Sequence, residues 1–456
     1  MIAIVTPAEM AAIDAAASEP LHVLIERAGS QVARRARSML GGVYGRRVAV
    51  LAGPGNNGAD GRVAARLLES WGVRVSVVEP TAAAVPRCDL VIDAAFGTGM
   101  NRPYVAPALP ADAKVLAVDI PSGVDGLTGV PNGRPNRADH TITFAALKPG
   151  LLLGDGPEFS GMVEVSDIGL DTSSASRWLF ARDDAQASYP RRSSTDHKWK
   201  HAVWVIGGSN GMIGAPVLAA QAAQRAGSGM VRCSLPGVDA PILANEVVFH
   251  SLPSDNWHEQ VLAEQERFGA LVVGPGIGRS ESARHALRQL VAASDKPLVI
   301  DADALHLLGK SVSDLRSSIV LTPHDGEFEA LAGHRPEPDR FASVAELAAG
   351  TGATVLLKGP ATIVAGPDGR CLAVNHGDER LATAGTGDVL AGAIGAYLAA
   401  GMAPDEAAAL GAWMHAEAGH TQSRFGMVAT DLIDGLAQAT RELNEPTQDG
   451  VVNASN

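Results

Sequence analysis

Short apolar runs rich in branched side chains recur along the chain, and most of them lead into a glycine-rich polar segment followed by a stretch of helical length. Runs of this length and composition predict buried β-strands. The predicted strands cover residues 46–52, 73–78, 89–94, 114–119, 203–206, 270–273, 298–301, 319–321 and 355–357. Because strands and helices alternate, we predict an α/β fold of two three-layer domains, each with a mainly parallel central sheet.

Helix starts and a change in composition divide this pattern further. Thr6-Pro7-Ala8-Glu9 has the order of an N-cap, a proline at the first helical position and an acidic residue at the third, and a second helix is predicted over residues 21–40. Residues 171–196 are rich in Ser, Asp, Arg and Pro, which predicts an interdomain linker with one short helix. We therefore predict domains over residues 1–180 and 181–442 and a disordered polar tail over residues 443–456.

Polar side chains follow three of the strands in the first domain. Asn56, Asn57 and Asp60 lie in a glycine-rich segment after the first strand, and Asp93 and Asp119 close two later strands. Because ligands of open α/β sheets bind beyond the carboxyl ends of the strands, these residues predict a site. Their oxygens suit a hard cation or a ribose. An ordinary Asn/Gly turn is the alternative interpretation of the glycine-rich segment.

The segments G-P-G-N-N-G-A-D-G, F-G-T-G-M-N-R-P and A-V-D-I-P-S-G-V-D-G-L-T-G follow one another in this order. With them, residues 6–170 resemble the NAD(P)HX epimerase domain, which implies a Rossmann-like fold. The resemblance implies that the hydrated nicotinamide nucleotide contacts Asn56, Asn57, Gly58, Ala59, Asp60, Gly97, Thr98, Gly99, Met100, Asn101, Arg102, Pro103 and Asp119. Ala59 departs from the family pattern, in which glycine is commoner.

The same resemblance implies a potassium ion at Asn57, Asp93 and Ser122. All three side chains supply oxygen, and only one is a carboxylate, which favours potassium over a dication or a transition metal. For Asp93, a cap on the turn at Phe96 is the alternative role. Asp119 closes its strand beside this site, so we predict that it is the acid–base group of epimerisation.

Residues 381–395 read L-A-T-A-G-T-G-D-V-L-A-G-A-I-G, a turn of small residues that runs into Asp388 and then into an uninterrupted predicted helix. The first N–H groups of a helix lack partners and lie at the positive end of its dipole, so the turn predicts an anion site, above all for a phosphate in transfer. Asp388 then suits a base that takes the proton of an attacking hydroxyl. A plain glycine-rich N-cap with an acidic first turn is the alternative.

This stretch matches the G-[AT]-G-D motif of ribokinase-like kinases. With the segments G-G-S-N-G-M-I-G-A, G-P-G-I-G, D-A-D, T-P-H-D-G-E and K-G-P-A-T before it, residues 197–436 resemble the ADP/ATP-dependent NAD(P)HX dehydratase. The resemblance implies a ribokinase-like domain with the hydrated nicotinamide at Ala215, Gly276 and His324 and the adenine nucleotide at Lys358, Gly359, Pro360, Ala361, Thr362, Gly385, Thr386 and Gly387. We also expect a magnesium ion at Asp301 and Asp303, with a helix cap as the alternative for Asp303.

Composition excludes several functional classes. The net charge of −13 argues against binding to nucleic acid or to an anionic membrane, and no apolar run has the length of a membrane span. The three cysteines lie far apart and form no CxxC, so they suggest neither a zinc site nor a disulfide framework. Without a signal-peptide pattern at the N-terminus, we expect a cytoplasmic protein, and we expect it to be a homo-oligomer.

Together the two resemblances imply a bifunctional metabolite-repair enzyme. The first domain would interconvert the R and S epimers of NADHX and NADPHX, and the second would dehydrate the S epimer with ADP or ATP, releasing phosphate and AMP or ADP. Two alternatives stay open at this point. In the first, the chain would be a vitamin or sugar kinase with a nucleotide-sensing N-terminal domain. In the second, the first domain would be a non-catalytic binding module.

Overall fold

Two compact units make up the protein, and they divide between Arg177 and Trp178. The computed structural model describes residues 1–100, 102–238 and 246–445. Within these residues no helix combines the length and the apolar character that a membrane crossing requires.

The first unit contains nine strands, four α-helices and one turn of 3₁₀ helix at Pro149–Leu151 among its described residues. The strands are β1 (Ile2–Ile4), β2 (Arg47–Ala52), β3 (Arg74–Val78), β4 (Leu90–Ala94), β5 (Tyr104–Val105), β6 (Lys114–Val118), β7 (Gly133–Arg134), β8 (His140–Phe144) and β9 (Met162–Ser166). The helices are α1 (Pro7–Ala15), α2 (Leu21–Leu40), α3 (Asn56–Ser70) and α4 (Gly156–Ser160).

A six-stranded parallel sheet forms the centre of the first unit, in the order β3-β2-β4-β6-β8-β9. Alternate side chains of its strands enter two separate apolar clusters. Val48 and Val50 pack with residues of α2 and α3 on one face, and Ala49 and Leu51 pack on the other. Because both faces are buried, the strands read as continuous apolar runs. The order places the ends of β2, β4 and β6 side by side.

The second unit begins in β10 (Arg177–Leu179), which spans the division between the units. The other strands are β11 (Val203–Ile206), β12 (Val231–Ser234), β13 (Val248–Phe249), β14 (Ala270–Val273), β15 (Leu298–Ile300), β16 (Ile319–Leu321), β17 (Thr354–Leu357), β18 (Thr362–Ala365) and β19 (Cys371–Val374). The helices are α5 (Arg182–Ser188), α6 (Gly214–Arg225), α7 (Trp257–Glu264), α8 (Glu281–Ala293), α9 (Asp303–Leu308), α10 (Asp325–Ala332), α11 (Arg340–Thr351), α12 (Thr386–Ala399), α13 (Pro404–His420) and α14 (Ala429–Asn444). Short 3₁₀ turns lie at Gln265–Arg267, Gly309–Ser311 and Glu379–Leu381.

The strands of the second unit follow the order β10-β19-β18-β17-β16-β15-β14-β11-β12-β13. Along this order, neighbouring strands pair in parallel from β17 to the edge strand β13. The pairs β17–β18 and β18–β19 are antiparallel. Helices α6, α12, α13 and α14 share one large apolar cluster with the sheet. Small residues allow this packing: a Cβ on Gly392 of α12 would lie 2.0 Å from the carbonyl oxygen of Ala219 in α6. The α/β prediction with mainly parallel sheets is confirmed.

Local signals set several element ends correctly. Thr6 caps α1 in a reciprocal capping box with Glu9, and α2 covers the predicted residues 21–40. The glycine-rich segment after β2 differs from the prediction, because α3 already begins at Asn56. Tertiary packing explains the early start. A Cβ on Gly58 would lie 1.9 Å from the Gly53 carbonyl oxygen, so the glycines let the helix close directly onto the strand end.

Two predicted irregular segments are more ordered than expected. The linker over residues 171–196 contains β10 as well as α5, and Phe180 and Ala185 in it are buried in the core of the second unit. The predicted tail over residues 443–456 begins inside α14, which ends at Asn444 with Leu443 buried. In both places buried apolar side chains, which composition alone does not distinguish from exposed ones, hold the segment on the unit. Residues 446–456 lie outside the described part of the chain.

Candidate active sites

The first site is a cavity of about 510 Å³ in the first unit, where the segments after β2, β4 and β6 meet. The predicted substrate ligands that line it are Asn56, Asn57, Asp60, Gly97, Thr98, Gly99, Met100, Arg102 and Asp119. Gly58, Ala59 and Pro103 do not line it, and Asn101 lies outside the described residues. Apolar side chains of α1 and α2 complete the wall, as expected for a pocket that receives a ring system.

Asp93 and Ser122, two of the predicted potassium ligands, are joined by hydrogen bonds. The Ser122 backbone N–H donates to Asp93 Oδ2 at 2.9 Å, and the Ser122 hydroxyl donates to Oδ1 at 2.6 Å. Burial raises the pKa of the Asp93 carboxyl, and these hydrogen bonds oppose the rise. The Phe96 N–H donates to the Ser122 hydroxyl at 2.8 Å. The pair therefore also holds the turn at Phe96.

The third predicted potassium ligand, Asn57, has a buried amide group. Both of its polar atoms lack a hydrogen-bond partner within residues 1–100, 102–238 and 246–445. The side chain lies against Gly97, where an added Cβ would be 3.7 Å from Asn57 Cβ and 3.5 Å from Asp119 Oδ2. Because a buried amide without partners is costly, this arrangement fits a ligand that supplies the missing contacts. The amide oxygen is a ligand atom of the kind that potassium binds.

Asp119 lies at the end of β6 in the left-handed region, with φ of 67°. Its Oδ1 is 2.6 Å from Lys148 Nζ and accepts a hydrogen bond from the Thr143 hydroxyl at 3.0 Å. Lys148 is fully buried and also donates to the Thr143 hydroxyl at 2.8 Å and to the Phe144 and Ala146 carbonyl oxygens at 3.1 and 3.2 Å. A buried ammonium with four oxygens around it is held in one position, and it holds Asp119 in turn.

Two further carboxyl groups line the cavity near Asp119. Burial, with Asp119 and Asp14 as neighbouring charges, raises the pKa of Asp60 to about 8. Partial desolvation raises the pKa of Asp14 as well, against the opposing effect of Lys148. At neutral pH Asp60 therefore carries a proton that it can donate, beside an Asp119 that accepts hydrogen bonds.

The second site lies in the second unit, at the ends of β15, β16 and β17. Lys358 Nζ is 2.7 Å from Asp301 Oδ1, and the Thr322 hydroxyl donates to the same oxygen at 2.8 Å. Burial by itself lowers the pKa of the Lys358 ammonium, but the Asp301 and Glu327 carboxylates outweigh it and raise the pKa. The lysine thus stays charged inside the site.

Asp388 stands in the first turn of α12, directly after the turn of small residues. Gly385 is the N-cap with φ of 89°, a conformation that favours glycine. A Cβ on Gly387 would lie 3.3 Å from Lys358 Nζ, so the ammonium faces the helix start. Burial and the Asp301 charge raise the pKa of Asp388 to about 7, against the effect of Lys358. A carboxyl group that titrates near neutral pH suits proton transfer.

The hydroxyl of Thr386 folds the turn itself. It donates to the Leu381 and Thr383 carbonyl oxygens at 2.7 and 2.8 Å. His415 of α13 lies behind this turn, and burial lowers the pKa of its imidazole to about 4. Its buried Nε2 lacks a hydrogen-bond partner within the described chain. Because the side chain is already engaged, the backbone of Thr386 is what remains available for the predicted nucleotide contact.

The predicted nicotinamide ligands of the second unit differ in their surroundings. Gly276 and Ala215 are neighbours, since a Cβ on Gly276 would lie 3.5 Å from Ala215 Cβ. His324 has an exposed side chain and is the N-cap of α10, where its Nδ1 accepts from the Gly326 N–H at 2.9 Å. Its Nε2 lies 3.6 Å from Glu327 Oε1.

The remaining predicted ligands follow β15 and β17. Gly359, Pro360 and Ala361 form the turn from β17 into β18, and Thr362 is the first residue of β18. Beside this turn, Arg340 donates to the Lys358 carbonyl oxygen at 3.2 Å. Asp303 is the first residue of α9 and does not cap it, so the helix-cap alternative is wrong. Its two carboxylate oxygens accept hydrogen bonds from Arg279 Nε and the Gly278 N–H.

Sequence reasoning missed Lys148, Asp14 and His415. Lys148 follows β8 in the segment F-A-A-L-K-P-G, where a lysine among apolar residues was the available signal. Asp14 sits on an apolar stripe of α1, and His415 in an otherwise apolar stretch of α13. An isolated polar residue in an apolar pattern is ambiguous until its neighbours are known.

Two family models match the chain. Residues 203–438 match the model described as NAD(P)H-hydrate dehydratase, and residues 21–85 and 78–150 match the model described as YjeF-related protein N-terminus. A bifunctional NAD(P)H-hydrate repair enzyme of Moorella thermoacetica is 34% identical over an alignment that covers 98% of this chain and 98% of that enzyme. The chain belongs to the family of bifunctional NAD(P)H-hydrate repair enzymes. A member from Escherichia coli is 35% identical, covering 91% of this chain and 89% of its own length.

Among solved structures, similarity extends over somewhat more than half of this chain. The ADP/ATP-dependent NAD(P)H-hydrate dehydratase of Bacillus subtilis, co-crystallised with ATP and Mg²⁺, is 27% identical with a TM-score of 0.51, covering 58% of this chain and 98% of that chain. A ribokinase-like superfamily protein of Enterococcus faecalis has a TM-score of 0.53 at 21% identity, covering 60% of this chain and 99% of that chain, and supports the fold alone.

Proposed function

We propose that this chain repairs hydrated nicotinamide nucleotides in two steps. The first unit interconverts the R and S epimers of NADHX and NADPHX, and the second dehydrates the S epimer with ADP or ATP. Membership of the repair-enzyme family supports both activities. The observation that carries the proposal is the half-buried Asp388 at the start of α12, whose pKa of about 7 suits it to deprotonate a hydroxyl beside an anion site.

In the second site, the hydroxyl at C6 of the hydrated ring attacks the terminal phosphorus of the nucleotide, and the bond from this phosphorus to the bridging oxygen breaks to release AMP or ADP. Asp388 takes the hydroxyl proton, and the N–H groups of Gly387 and its neighbours stabilise the phosphoryl group in transfer. Lys358 adds positive charge at the same place. Hydroxide is a poor leaving group and phosphate a good one, so loss of phosphate from C6 together with a proton from C5 forms the C5–C6 double bond and restores the reduced nicotinamide ring.

The predicted magnesium ligands already have partners in the protein. Both oxygens of Asp303 accept hydrogen bonds from other groups, and Oδ1 of Asp301 is shared by Lys358 and Thr322. We therefore assign no step to a magnesium ion held by these two carboxylates. A dication that enters with ADP or ATP is held mainly by phosphate oxygens and water.

In the first site, the nicotinamide ring of the hydrate occupies the cavity beside Asp119. Inversion at C6 requires that the N1–C6 bond breaks as the hydroxyl loses its proton, which leaves C6 as an aldehyde carbon, and that N1 then attacks its other face. Asp119 accepts the hydroxyl proton and returns it, Lys148 fixes its position, and the protonated Asp60 donates a hydrogen bond. Charge and proton thus stay within the cavity during the inversion.

A potassium ion fits the oxygens beside this cavity. The Asn57 amide oxygen is buried and lacks a partner in the described chain, and Asp93 and Ser122 offer one carboxylate and one hydroxyl. When bound, the ion would neutralise Asp93 and hold the ends of β2, β4 and β6 together. The expected homo-oligomer stays a prediction.

The decisive experiment follows both epimers by chromatography. The purified chain is incubated with NADHX epimers alone and then with ADP or ATP. We expect interconversion without nucleotide and recovery of the absorbance of reduced nicotinamide with nucleotide. A stable phosphorylated product without that recovery would indicate an ordinary kinase, and absence of interconversion would indicate that the first unit only binds its ligand.

A further inference from the structure

Two histidines and a glutamate meet on the second unit, in a group separate from Asp388 and Lys358. Glu417 and His420 lie one turn apart near the end of α13, so both side chains leave the same side of the helix. His376 reaches them from the segment after β19. We call these three residues the His376 cluster. One coordinating atom from each lies within 4.8 Å of the other two.

The atoms of the His376 cluster converge on one carboxylate oxygen. His376 Nε2 is 2.6 Å from Glu417 Oε2, and His420 Nδ1 is 3.9 Å from the same oxygen. At a tetrahedral dication with bonds of about 2.0–2.1 Å, neighbouring ligand atoms are roughly 3.3 Å apart. Side-chain rotations that move these ligand atoms by an ångström or so therefore convert these contacts into a coordination sphere.

Neighbouring groups already orient the three side chains as metal ligands are oriented. Asp378 Oδ2, which accepts from Arg380 Nε at 3.0 Å, also lies 3.4 Å from Nε2 of His420, and the other ring nitrogen, Nδ1, is on the side of Glu417. This is the carboxylate–histidine arrangement of metal sites. The His376 ring stacks on Trp413, with centroids 5.1 Å apart and planes 3° apart. Arg182 faces the other oxygen of Glu417, Oε1, at 3.4 Å.

We propose that the His376 cluster binds one dication of the zinc class. Two imidazoles and one carboxylate suit zinc and related d-block dications, whereas magnesium and potassium prefer oxygen alone. The His376 and Glu417 side chains are 13% exposed and that of His420 is 28% exposed, so an ion can enter while a fourth position stays open to water.

The bound ion ties the segment after β19 to α13. That segment continues through the Glu379–Leu381 turn, and the Leu381 carbonyl accepts the hydroxyl of Thr386 at the start of α12. The site is thus a clamp at the base of the anion-binding turn and takes no part in the reaction itself. Only the effect of the ion on the anion-binding turn rests on the proposed function. The metal site itself does not, because metal binding is measured without substrate.

Metal binding by the full chain tests the proposal, with Zn²⁺ by equilibrium dialysis and Co²⁺ by visible absorption. We expect one equivalent of Zn²⁺ per wild-type chain, a tetrahedral Co²⁺ spectrum and a rise in Tm with Zn²⁺. The double variant His376→Ala/His420→Ala should lose all three. Asp378→Asn should weaken Zn²⁺ binding roughly 10–100-fold. The exposed His334→Ala is the matched control and should bind as wild type does.

Equal Zn²⁺ binding by wild type and the double variant would overturn the proposal, as would a Co²⁺ spectrum of octahedral type. If the double variant does not fold, the Asp378→Asn variant decides between the outcomes. In this variant the His420 ring stays in place, and the amide oxygen can still accept from the Arg380 backbone N–H. Unchanged Zn²⁺ affinity in Asp378→Asn would then contradict the site. A wild-type chain that binds one Zn²⁺ but does not dehydrate the S epimer would count against the proposed function alone.

Discussion

Lys148 Nζ lies 2.6 Å from Asp119 Oδ1, and the lysine side chain is only 1% exposed. Around the ammonium, Thr143 and two backbone carbonyls supply the remaining acceptors. A buried charge with this many partners is held in place by all of them, and removing one member leaves the other uncompensated. The pair therefore makes a sharp test of the first site.

Lys148→Met should abolish epimerisation and leave dehydration of the S epimer intact. Because Asp119 then loses its partner, the free energy of unfolding of the first unit should fall by about 3 kcal/mol. Chromatography of the two epimers and denaturant unfolding measure the two effects. The exposed Lys114→Met is the control and should change neither. Normal epimerisation by Lys148→Met would contradict the role of the pair.

Asp388→Asn should preserve the fold and most of the nucleotide affinity while dehydration slows by roughly two to four orders of magnitude. The amide has the shape of the carboxylate but cannot accept the proton of the C6 hydroxyl. Recovery of reduced nicotinamide from the S epimer is the measurement, and epimerisation in the same sample is the internal control. A dehydration rate near that of wild type would show that another group is the base.

The dehydration rate should fall as the pH drops through about 7. The pKa of Asp388 is raised to about 7, mainly by burial, so its basic form is lost below that value. The sign is that of a base: rate rises with pH until the carboxylate is fully ionised. A profile of kcat/KM from roughly pH 5.5 to 8 tests this. A flat profile across that range would contradict it.

Asn57→Ala should reduce the dependence of epimerisation on potassium without unfolding the protein. The amide makes no hydrogen bond within the described residues, so its loss removes a proposed ion ligand and little else. Asp93→Ala should remove both the ion and the hydrogen bonds to Ser122, and so lower stability as well. Epimerisation rates in potassium and in a large organic cation distinguish the variants. The same potassium dependence in both variants and in wild type would exclude the site.

Residues 1–177 and residues 178–456 should each fold and act alone. The units divide between Arg177 and Trp178, and each has its own apolar core and its own polar strand ends. The first fragment should interconvert the epimers, and the second should dehydrate only the S epimer. Soluble expression and the two assays on the fragments measure this. Two inactive fragments that regain activity when mixed would show that the units depend on each other.

Several elements were predictable because their signals are local. The capping residues of α1 stand three positions apart, and the runs of β11, β14 and β16 are apolar along their whole length. Short-range sterics and hydrogen bonding decide such features. The start of α3 was not predictable in this way, because packing of Gly58 against Gly53 extends the helix into a segment that reads as a loop.

The sequence by itself determined the α/β class, the polar residues at the strand ends, and the turn of small residues before Asp388. The tertiary structure decided which of these residues have partners. Asp301 and Lys358 are 57 positions apart yet form one ion pair, and Lys148 reaches Asp119 only because β6 and β8 are neighbours. Burial and long-range charge set the pKa of Asp388, and both depend on distances in space that no local pattern records.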